Sequence, residues 1–320
     1  MEANEIRGEN GENHMYPFAI IKLGDFLSIN LYDILFLLGL VAALIVFDRL
    51  CIKKKVPNSV NKFYYILSIV SIGLGVVSAM LFQSVYNWIE KGFQDFELKG
   101  MTFMGGLIGG VIVFLIGYKL FAKERDKRYF WRIVEFAPAC VAIAHCLGRL
   151  GCLMAGCCYG KLTDLPFPLG ADMYIYVANQ GYEWQHRLPT QLFEAVFLLI
   201  LFVVLLYLIL KDRKWSVIVY TMSYSVFRFL IEFLRDDPRG KLLGFMTPSQ
   251  TQVLLLFLVG VFFLILRLLK RYRPALMQGK FKALDGYLDP DYVYELPEEA
   301  PAAAAADSAS EEEHQSGGEG

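Results

Sequence analysis

Residues 189–210 read PTQLFEAVFLLILFVVLLYLIL, and Glu194 is the one charged side chain in this run. A helix needs about 20 apolar residues to cross the roughly 30 Å hydrocarbon core of a bilayer, so this run can span a membrane. Similar runs recur along the chain of 320 residues, which is 56% hydrophobic with a mean hydropathy of +0.42, and a water-soluble fold is excluded. We predict an all-α polytopic membrane protein with about seven transmembrane helices, at 29–49, 64–86, 101–122, 131–150, 189–210, 215–234 and 247–269.

Basic residues cluster after every second predicted helix. An excess of lysine and arginine marks the cytoplasmic side of a membrane protein. The alternate connections, 87–100 and 151–188, carry far fewer basic residues. We therefore predict an N-terminus outside the cell and a cytoplasmic C-terminus. The basic residues are Lys53, Lys54, Lys55, Lys62, Lys123, Arg125, Lys127, Arg128, Lys211, Arg213, Lys214, Lys270, Arg271 and Arg273.

The chain divides into three predicted regions. Residues 1–28 hold four glutamates before any apolar run, which argues against a cleaved signal peptide and predicts an extracytoplasmic segment. Residues 29–270 form the transmembrane domain. In residues 271–320, Lys282 is the last basic residue and eleven acidic residues follow it. This composition predicts an acidic, largely disordered cytoplasmic tail.

A stripe of polar side chains occupies the predicted sixth helix. Charged groups inside a membrane are costly, so each requires a partner or a function. Tyr224, Arg228, Glu232 and Arg235 recur at helical spacing and share one face. One interpretation is a purely structural ion pair between Arg228 and Glu232. The other has Arg228 binding an anionic group, with Glu232 fixing its orientation and Tyr224 adding a donor.

A second polar group lies where the predicted fourth helix ends. His145 and Arg149 are one helical turn apart, and several glycines follow, among them Gly156. Arg149 either extends to the membrane interface or binds a ligand. The glycines favour a close approach by another helix or a ligand.

The predicted fifth helix adds a glutamine and a glutamate on one face, Gln191 and Glu194. Glu194 lies in an apolar run and needs a cationic partner, for which Arg149 and Arg228 are available. These groups lie near the outer ends of their helices. They predict a positively biased cavity that opens toward the outer leaflet and fits a phospholipid head group.

Five of the six cysteines fall within residues 140–158. Cys152, Cys157 and Cys158 suggest zinc, but they lack a second spaced pair, and adjacent Cys157 and Cys158 are poorly placed to bind one tetrahedral ion together. We therefore predict no metal site. The three residues are interpreted as small buried thiols, with a disulfide on the outer face as the alternative.

Four ordered motifs resemble the bacterial prolipoprotein diacylglyceryl transferase family over about residues 29–270. The glycines in the first of them also predict close helix packing. Gly-Cys-Cys-Tyr-Gly at 156–160 resembles a cysteine-rich branch of that family. The motifs are Phe103 to Gly110, Gly148-Arg149-Leu150-Gly151 with Gly156, Pro189-Thr190-Gln191-Leu192-Phe193-Glu194, and Tyr224 with Arg228-Phe229-Leu230-Ile231-Glu232-Phe233.

The resemblance implies a multi-pass enzyme of the bacterial inner membrane. Such an enzyme transfers the diacylglyceryl group of phosphatidylglycerol to the lipobox cysteine thiol of a prolipoprotein and forms a thioether. The expected partners are phosphatidylglycerol, the prolipoprotein signal peptide with its lipobox cysteine and the lipid bilayer. Neither a cofactor nor a nucleic acid is expected.

Residue roles are carried over from the same motifs. Arg149 and Arg228 match the arginines of the family and are expected to clamp the phosphate, while Glu194 and Glu232 orient them. Catalytic roles are predicted for Arg149, Arg228, Glu232, Tyr224 and Glu194. Substrate-binding roles are predicted for both arginines and for Gly105, Gly106, Gly156, Gln191, Tyr32 and His145.

The sequence departs from the family pattern at four positions. Met104 stands where a histidine usually precedes the glycines of the third helix, so a base expected there is missing. Cys152, Cys157 and Leu188 replace an asparagine, a glutamate and a histidine. Two alternatives therefore stay open. One is a divergent enzyme that uses phosphatidylglycerol with another acceptor, and the other is a non-enzymatic lipid-binding or transport protein.

Overall fold

A computed structural model describes residues 19–23, 27–90, 93, 96, 103–177, 181–236, 246–273 and 284–288. Seven long helices dominate these residues, as the apolar runs predict, and the chain is a multi-pass membrane protein. A short eighth helix and two strand pairs complete the described fold. The helices are α1 (Leu31–Lys53), α2 (Asn58–Glu90), α3 (Phe103–Phe121), α4 (Glu124–Met154), α5 (Thr190–Leu210), α6 (Ser216–Ile231), α7 (Pro248–Tyr272) and α8 (Asp285–Leu288).

Six of these helices are long and apolar enough to cross a membrane. In α3, Ile108–Phe121 is a further apolar stretch. The helical, polytopic class is thereby confirmed, while the count of seven spans and the orientation stay predictions. Large apolar side chains such as Leu37, Ile66 and Ile200 lie exposed on the outer faces of the helices. Lipid tails suit such faces, because they are as apolar as the side chains.

Two antiparallel strand pairs lie outside the helices. The first, β1 (Ala19–Leu23) with β2 (Leu27–Asn30), leads directly into α1. The second, β3 (Ala171–Val177) with β4 (Gly181–Arg187), gives the long connection between α4 and α5 a structure of its own. We call the end of the bundle that carries β3 and β4 the hairpin end, and the opposite end the basic end.

Close backbone contacts hold neighbouring helices together. Gly39 of α1 lies against the Ala144 carbonyl of α4, where an added Cβ would be 2.8 Å from the oxygen. In α2 and α3 the corresponding contact joins Gly75 to Gly106 and Gly110. The predicted close packing of the third helix is therefore a contact with α2, because side chains larger than glycine would separate the two backbones.

Helix α4 is longer than predicted. It begins at Glu124 rather than near residue 131, and the Lys123 backbone N–H donates to the Asp126 carboxylate at 2.9 Å. Pro138 lies inside this helix. Proline has no backbone N–H, so one carbonyl in the preceding turn loses its helical hydrogen bond. In that turn the Ser216 hydroxyl of α6 donates to the Glu135 carbonyl at 2.8 Å.

The basic end is joined by ion pairs around the loop between α5 and α6. Asp212 contacts Lys54 at 2.5 Å and Arg132 at 2.7 Å, with its own side chain 53% exposed. Arg267 of α7 donates to the backbone carbonyls of Arg213 and Lys214 and lies over the Trp215 ring. These contacts tie α1, α4 and α7 to one loop.

A short part of the predicted tail is described. Tyr287 and Leu288 of α8 are fully buried against Ile218 and Leu266, so the tail, predicted to be largely disordered, contains one docked turn. The physical reason is that two large apolar side chains suffice to bind a short helix to an apolar surface. The rest of the tail, and most of the predicted segment 1–28, lie outside the described residues.

Candidate active site

Glu194 is the centre of a buried polar cluster on α4, α5 and α6. Its Oε1 lies 3.1 Å from Arg149 Nε and 3.8 Å from Arg228 Nε, and it accepts a hydrogen bond from the Tyr224 hydroxyl at 3.0 Å. Glu194 is fully buried and Arg228 is 3% exposed. Two arginines from different helices therefore meet at one carboxylate oxygen, as the sequence predicts for a shared anionic site.

The second carboxylate of the cluster holds the Arg228 guanidinium. Arg228 donates to Glu232 at 2.6 Å and to the Ser249 hydroxyl at 3.0 Å through its two terminal nitrogens. Thr247 donates to the other Glu232 oxygen at 2.7 Å, and Arg235 Nε lies 3.8 Å from the carboxylate. The guanidinium fork is thus fixed in position.

The polar stripe keeps one face although its helix ends early. Helix α6 stops at Ile231, and Glu232–Leu234 form a single 3-10 turn. Such a turn tightens the last part of a helix without reversing its direction. Glu232 and Arg235 consequently remain on the side of Arg228 and Tyr224.

His145 joins the cluster from α4. Its Nε2 lies 3.2 Å from Arg149 Nε and 3.6 Å from Glu194 Oε1, and its ring meets the Tyr224 ring edge-on. An arginine N–H only donates, so at hydrogen-bond distance the His145 nitrogen must accept. The lone pair that a base would use is occupied by Arg149.

Among the described residues, the cluster contains more arginines than carboxylates. Arg149, Arg228 and Arg235 face the two carboxylates of Glu194 and Glu232. Such an excess in a buried site favours an additional anion. The second Glu194 oxygen, Oε2, is buried and has no hydrogen-bond partner among the described residues. It is available to a donor on a ligand.

Two predicted binding residues lie beside this cluster. Gln191, three residues before Glu194 in α5, donates its amide to the Cys157 carbonyl at 2.5 Å, and its Oε1 is buried without a partner in the described structure. Gly156 has a φ of +63° and lies against the Tyr174 carbonyl of β3, which leaves no room for a side chain. Both residues shape the loop after α4, so their binding roles stay predictions.

Other predicted binding residues lie on neighbouring helices. Tyr32, at the start of α1, contacts Gly151 near the end of α4. Gly105 accepts a hydrogen bond from Ser78 of α2 at 2.9 Å, and Gly106 lies against Gly75. The glycine contacts serve the α2–α3 interface, and no described contact joins them to the arginines. The side chain of Met104 lies outside the described structure.

The structure corrects one prediction about the cysteines. The sulfur atoms of Cys152, Cys157 and Cys158 all lie within 4.8 Å of one another, although adjacent Cys157 and Cys158 were expected to be poorly placed to bind one ion together. Cys157 is also exposed rather than buried. The reason is local: Gly156 and Cys158 both have a positive φ, of 63° and 65°, which turns the chain back toward Cys152. All three are free thiols.

The electrostatic surroundings distinguish Cys158 from the other two thiols. Hydrogen bonds with the Cys152 and Cys157 thiols, followed by the charges of Arg235 and Arg149, hold the pKa of Cys158 far below its ordinary value. Opposite charges and hydrogen bonds to a thiolate favour that form. The arginine cluster therefore influences the neighbouring loop.

Thr247 and Ser249 were missed by the sequence analysis. Both are uncharged, and neither interrupts an apolar run, so hydropathy gives no signal for them. The one available signal is the sequence Thr247-Pro248-Ser249-Gln250, a capping box with proline in the first turn of α7. It predicts the helix start but not the carboxylate that Thr247 binds.

Known proteins resemble this chain over a range that includes the residues of the cluster. A family model described as prolipoprotein diacylglyceryl transferase matches residues 19–266, which include the whole cluster. The chain belongs to the prolipoprotein diacylglyceryl transferase family. Three relatives carry the name phosphatidylglycerol–prolipoprotein diacylglyceryl transferase, so the family is one of enzymes, and the non-enzymatic alternative is not favoured.

These relatives cover most of the chain. The protein from Clostridium tetani is 30% identical, and the alignment covers 74% of this chain and 92% of the relative. A second protein, from Clostridium perfringens, is 27% identical over 75% of this chain and 93% of its own length. One from Stenotrophomonas maltophilia is 27% identical, with 84% and 97% covered.

Proposed function

We propose that the protein transfers the diacylglyceryl group of phosphatidylglycerol to the lipobox cysteine thiol of a prolipoprotein in the bacterial inner membrane. The thiol sulfur forms a bond to the glyceryl carbon, the bond from that carbon to the phosphate oxygen breaks, and glycerol phosphate leaves. The thiol proton is lost to the site or to solvent. Membership of the family supports this reaction, and the buried arginine cluster supports its location.

The observation that carries the proposal is the meeting of Arg149 and Arg228 at Glu194. A phosphate placed there exchanges some carboxylate contacts for guanidinium contacts of its own, which arginine makes in pairs. The developing charge on the leaving phosphate is then stabilised by groups already in place. Glu194 and Glu232 are positioning residues that keep the two guanidinium groups aligned, and Tyr224 fixes Glu194.

The orientation follows from the charges. The basic end carries the lysines and arginines that follow α1, α3, α5 and α7, so we place it in the cytoplasm and the hairpin end outside. The domain division is proposed with the same sidedness: 1–28 outside, 29–270 in the membrane and 271–320 inside. A precursor exported across the membrane would meet the lipid at the hairpin end.

A reconstituted transfer assay tests the proposal. The full chain is incubated with phosphatidylglycerol vesicles and a peptide that carries a lipobox cysteine, and mass spectrometry follows the peptide. We expect a diacylglyceryl mass on the cysteine and release of glycerol phosphate. Arg149→Lys and Arg228→Lys, which keep the charge but lose the fork, are expected to lower the rate on the order of 100-fold.

Arg271→Lys is the matched control, because Arg271 lies exposed at the basic end. It is expected to match the wild-type rate. Wild-type rates in both site variants would refute the phosphate clamp. Cleavage of phosphatidylglycerol without modification of the peptide would instead favour the alternative with a different acceptor.

His145 offers a separate test of how the thiol is activated. Because Arg149 occupies its lone pair, we predict that His145→Ala keeps the transfer rate within about threefold and leaves the pH profile unchanged. The cationic site itself then favours the thiolate of the substrate, whose ordinary pKa is near 8.5. Loss of transfer with normal protein level and lipid binding would make His145 the base.

A further inference from the structure

The loop after α4 brings three thiols into one small volume. The sulfurs of Cys152, Cys157 and Cys158 lie within 4.8 Å of one another. Zinc–sulfur bonds of about 2.3 Å at tetrahedral angles place sulfurs roughly 3.8 Å apart. Small side-chain rotations that move each sulfur by less than about 1 Å would therefore bring all three within bonding distance of one ion.

The backbone of this loop is fixed by contacts from α5. Thr190 donates its hydroxyl to the Cys158 carbonyl at 2.8 Å, and Gln191 donates its amide to the Cys157 carbonyl. Cys158 is held at a φ of +65°, a conformation that residues with a side chain rarely adopt and that concentrates at functional sites. The convergence of the thiols is thus built into the fold.

The thiols adjoin the arginine cluster on two helices. Cys152 follows Arg149 by three residues in α4, which separates them by about 4.5 Å along the axis on one face. Gln191, which holds the Cys157 carbonyl, precedes Glu194 by the same step in α5. Cys157 is exposed, so the group lies between the arginines and the surface of the hairpin end.

We propose that Cys152, Cys157 and Cys158 bind one Zn²⁺ ion, whose fourth position receives the sulfur of the acceptor cysteine. Thiolates select soft or borderline metals, and three protein ligands with an open fourth position are typical of catalytic zinc. Zinc binding stands on the geometry alone, whereas the fourth ligand rests on the proposed function.

The reaction balances with zinc as the one added component. The acceptor thiol loses its proton to solvent when its sulfur binds the ion, since coordinated thiols are deprotonated. The zinc-bound sulfur then forms the bond to the glyceryl carbon, and the electron pair of the broken bond leaves with the phosphate. The resulting thioether is neutral and a weaker ligand, so the product dissociates. No electron enters or leaves the protein.

Metal analysis of the purified full chain tests the binding. We expect about one zinc per wild-type chain, and Cys157→Ser and Cys158→Ser are expected to lower the affinity for zinc roughly 100-fold. Cys140→Ser is the matched control, because Cys140 lies in α4 away from the loop, and it should keep the zinc. Wild-type protein without zinc after incubation with the ion, whether its thiols are reduced or joined in a disulfide, would overturn the proposal.

Cobalt substitution tests the fourth position. Co²⁺ bound by the three sulfurs gives visible absorption bands, which are expected to shift when a lipobox peptide is added and not when its serine analogue is added. If the cobalt bands do not shift when the cysteine peptide is added, the assignment of the fourth ligand is overturned.

The two proposals fail in different ways. Arg228→Lys should keep its zinc and lose transfer, and zinc removal by a chelator should lower the wild-type rate until zinc is returned. A zinc-loaded wild type that never modifies the peptide would count against the proposed function while the metal site stands. Full transfer by the zinc-free chain would overturn a catalytic role for the ion.

Discussion

The two ends of the helix bundle both contain ion pairs, and they differ in burial. At the basic end, Asp212 meets Lys54 and Arg132 while half of its side chain remains exposed. Toward the hairpin end, Glu194 meets Arg149 and Arg228 with its side chain 1% exposed. Exposed pairs contribute little because water solvates the separated charges nearly as well. Buried charges are costly to bring together and costly to separate, so they persist where a function requires them.

Removal of the central carboxylate should have the largest effect. Glu194→Ala leaves two buried arginines without their shared partner, and we expect a loss of about 3–5 kcal/mol in the free energy of unfolding. Asp212→Ala, the matched variant at the basic end, should lose less, because the Asp212 side chain is half exposed, although Lys54 and Arg132 are only 8% and 13% exposed. Denaturation of both variants in one detergent measures the difference. Equal losses would show that burial does not distinguish the two ends.

Truncation of the tail should separate stability from transfer. A chain ending at Lys282 lacks Tyr287 and Leu288, so we expect it to lose on the order of 2 kcal/mol of stability through the uncovered surface of Ile218 and Leu266. Its transfer rate should be unchanged, because the basic end does not carry the site. A chain ending at Leu288 is the control and should match the full chain in both respects. A slower rate in that control would assign a role to residues beyond 288.

A smaller effect is expected at the second carboxylate. Glu232→Gln keeps one acceptor oxygen for Arg228 but loses the charge and turns an amide N–H toward Thr247, so transfer should fall roughly tenfold, equal to about 1.4 kcal/mol. This is less than the loss expected for Arg228→Lys, because the glutamate positions the arginine and does not replace it. Rates of the two variants on one lipobox peptide check the order. A reversed order would mean that Glu232 contacts the reacting atoms itself.

The smallest effect concerns the pH dependence of the half-exposed Asp212 and its two cationic partners. Burial opposes ionisation of Asp212, but the Lys54 hydrogen bond and the charge and hydrogen bond of Arg132 outweigh it, so its pKa lies below the ordinary 3.8. The stabilisation is therefore present above pH 3.8 and is lost as the pH falls through the lower, folded value. Asp212→Asn should differ from wild type at pH 6 and match it in strong acid. A constant difference across this range would contradict the ion-pair account.

Hydropathy and helical spacing account for much of what the sequence predicted correctly. Each apolar run became a helix, because in a bilayer the backbone must satisfy its own hydrogen bonds. Arg149, Glu194 and Arg228 were found because a charge in an apolar run is conspicuous. Their convergence was predicted only from the free-energy cost of leaving charges unpaired in a membrane. The structure then identified the carboxylate oxygen that joins them.

The missed features depend on conformation or on uncharged groups. The meeting of Cys152 with Cys157 and Cys158 requires two residues of positive φ, which no spacing rule contains. Thr247 and Ser249 are polar but uncharged, and their partners lie on another helix. The docking of Tyr287 depends on a surface formed by α6 and α7, which the composition of the tail alone does not reveal.

The length of α4 sets how far Arg149 lies from the basic end of the bundle. The helix has 31 residues and is about 46 Å long, which exceeds the roughly 30 Å hydrocarbon core. Glu135 is the last charge of its basic-end portion, and Arg149 follows about 21 Å farther along the axis. That distance is about two thirds of the roughly 30 Å hydrocarbon core. The spacing of 14 residues along one helix thus holds Arg149 at a set distance from the basic end.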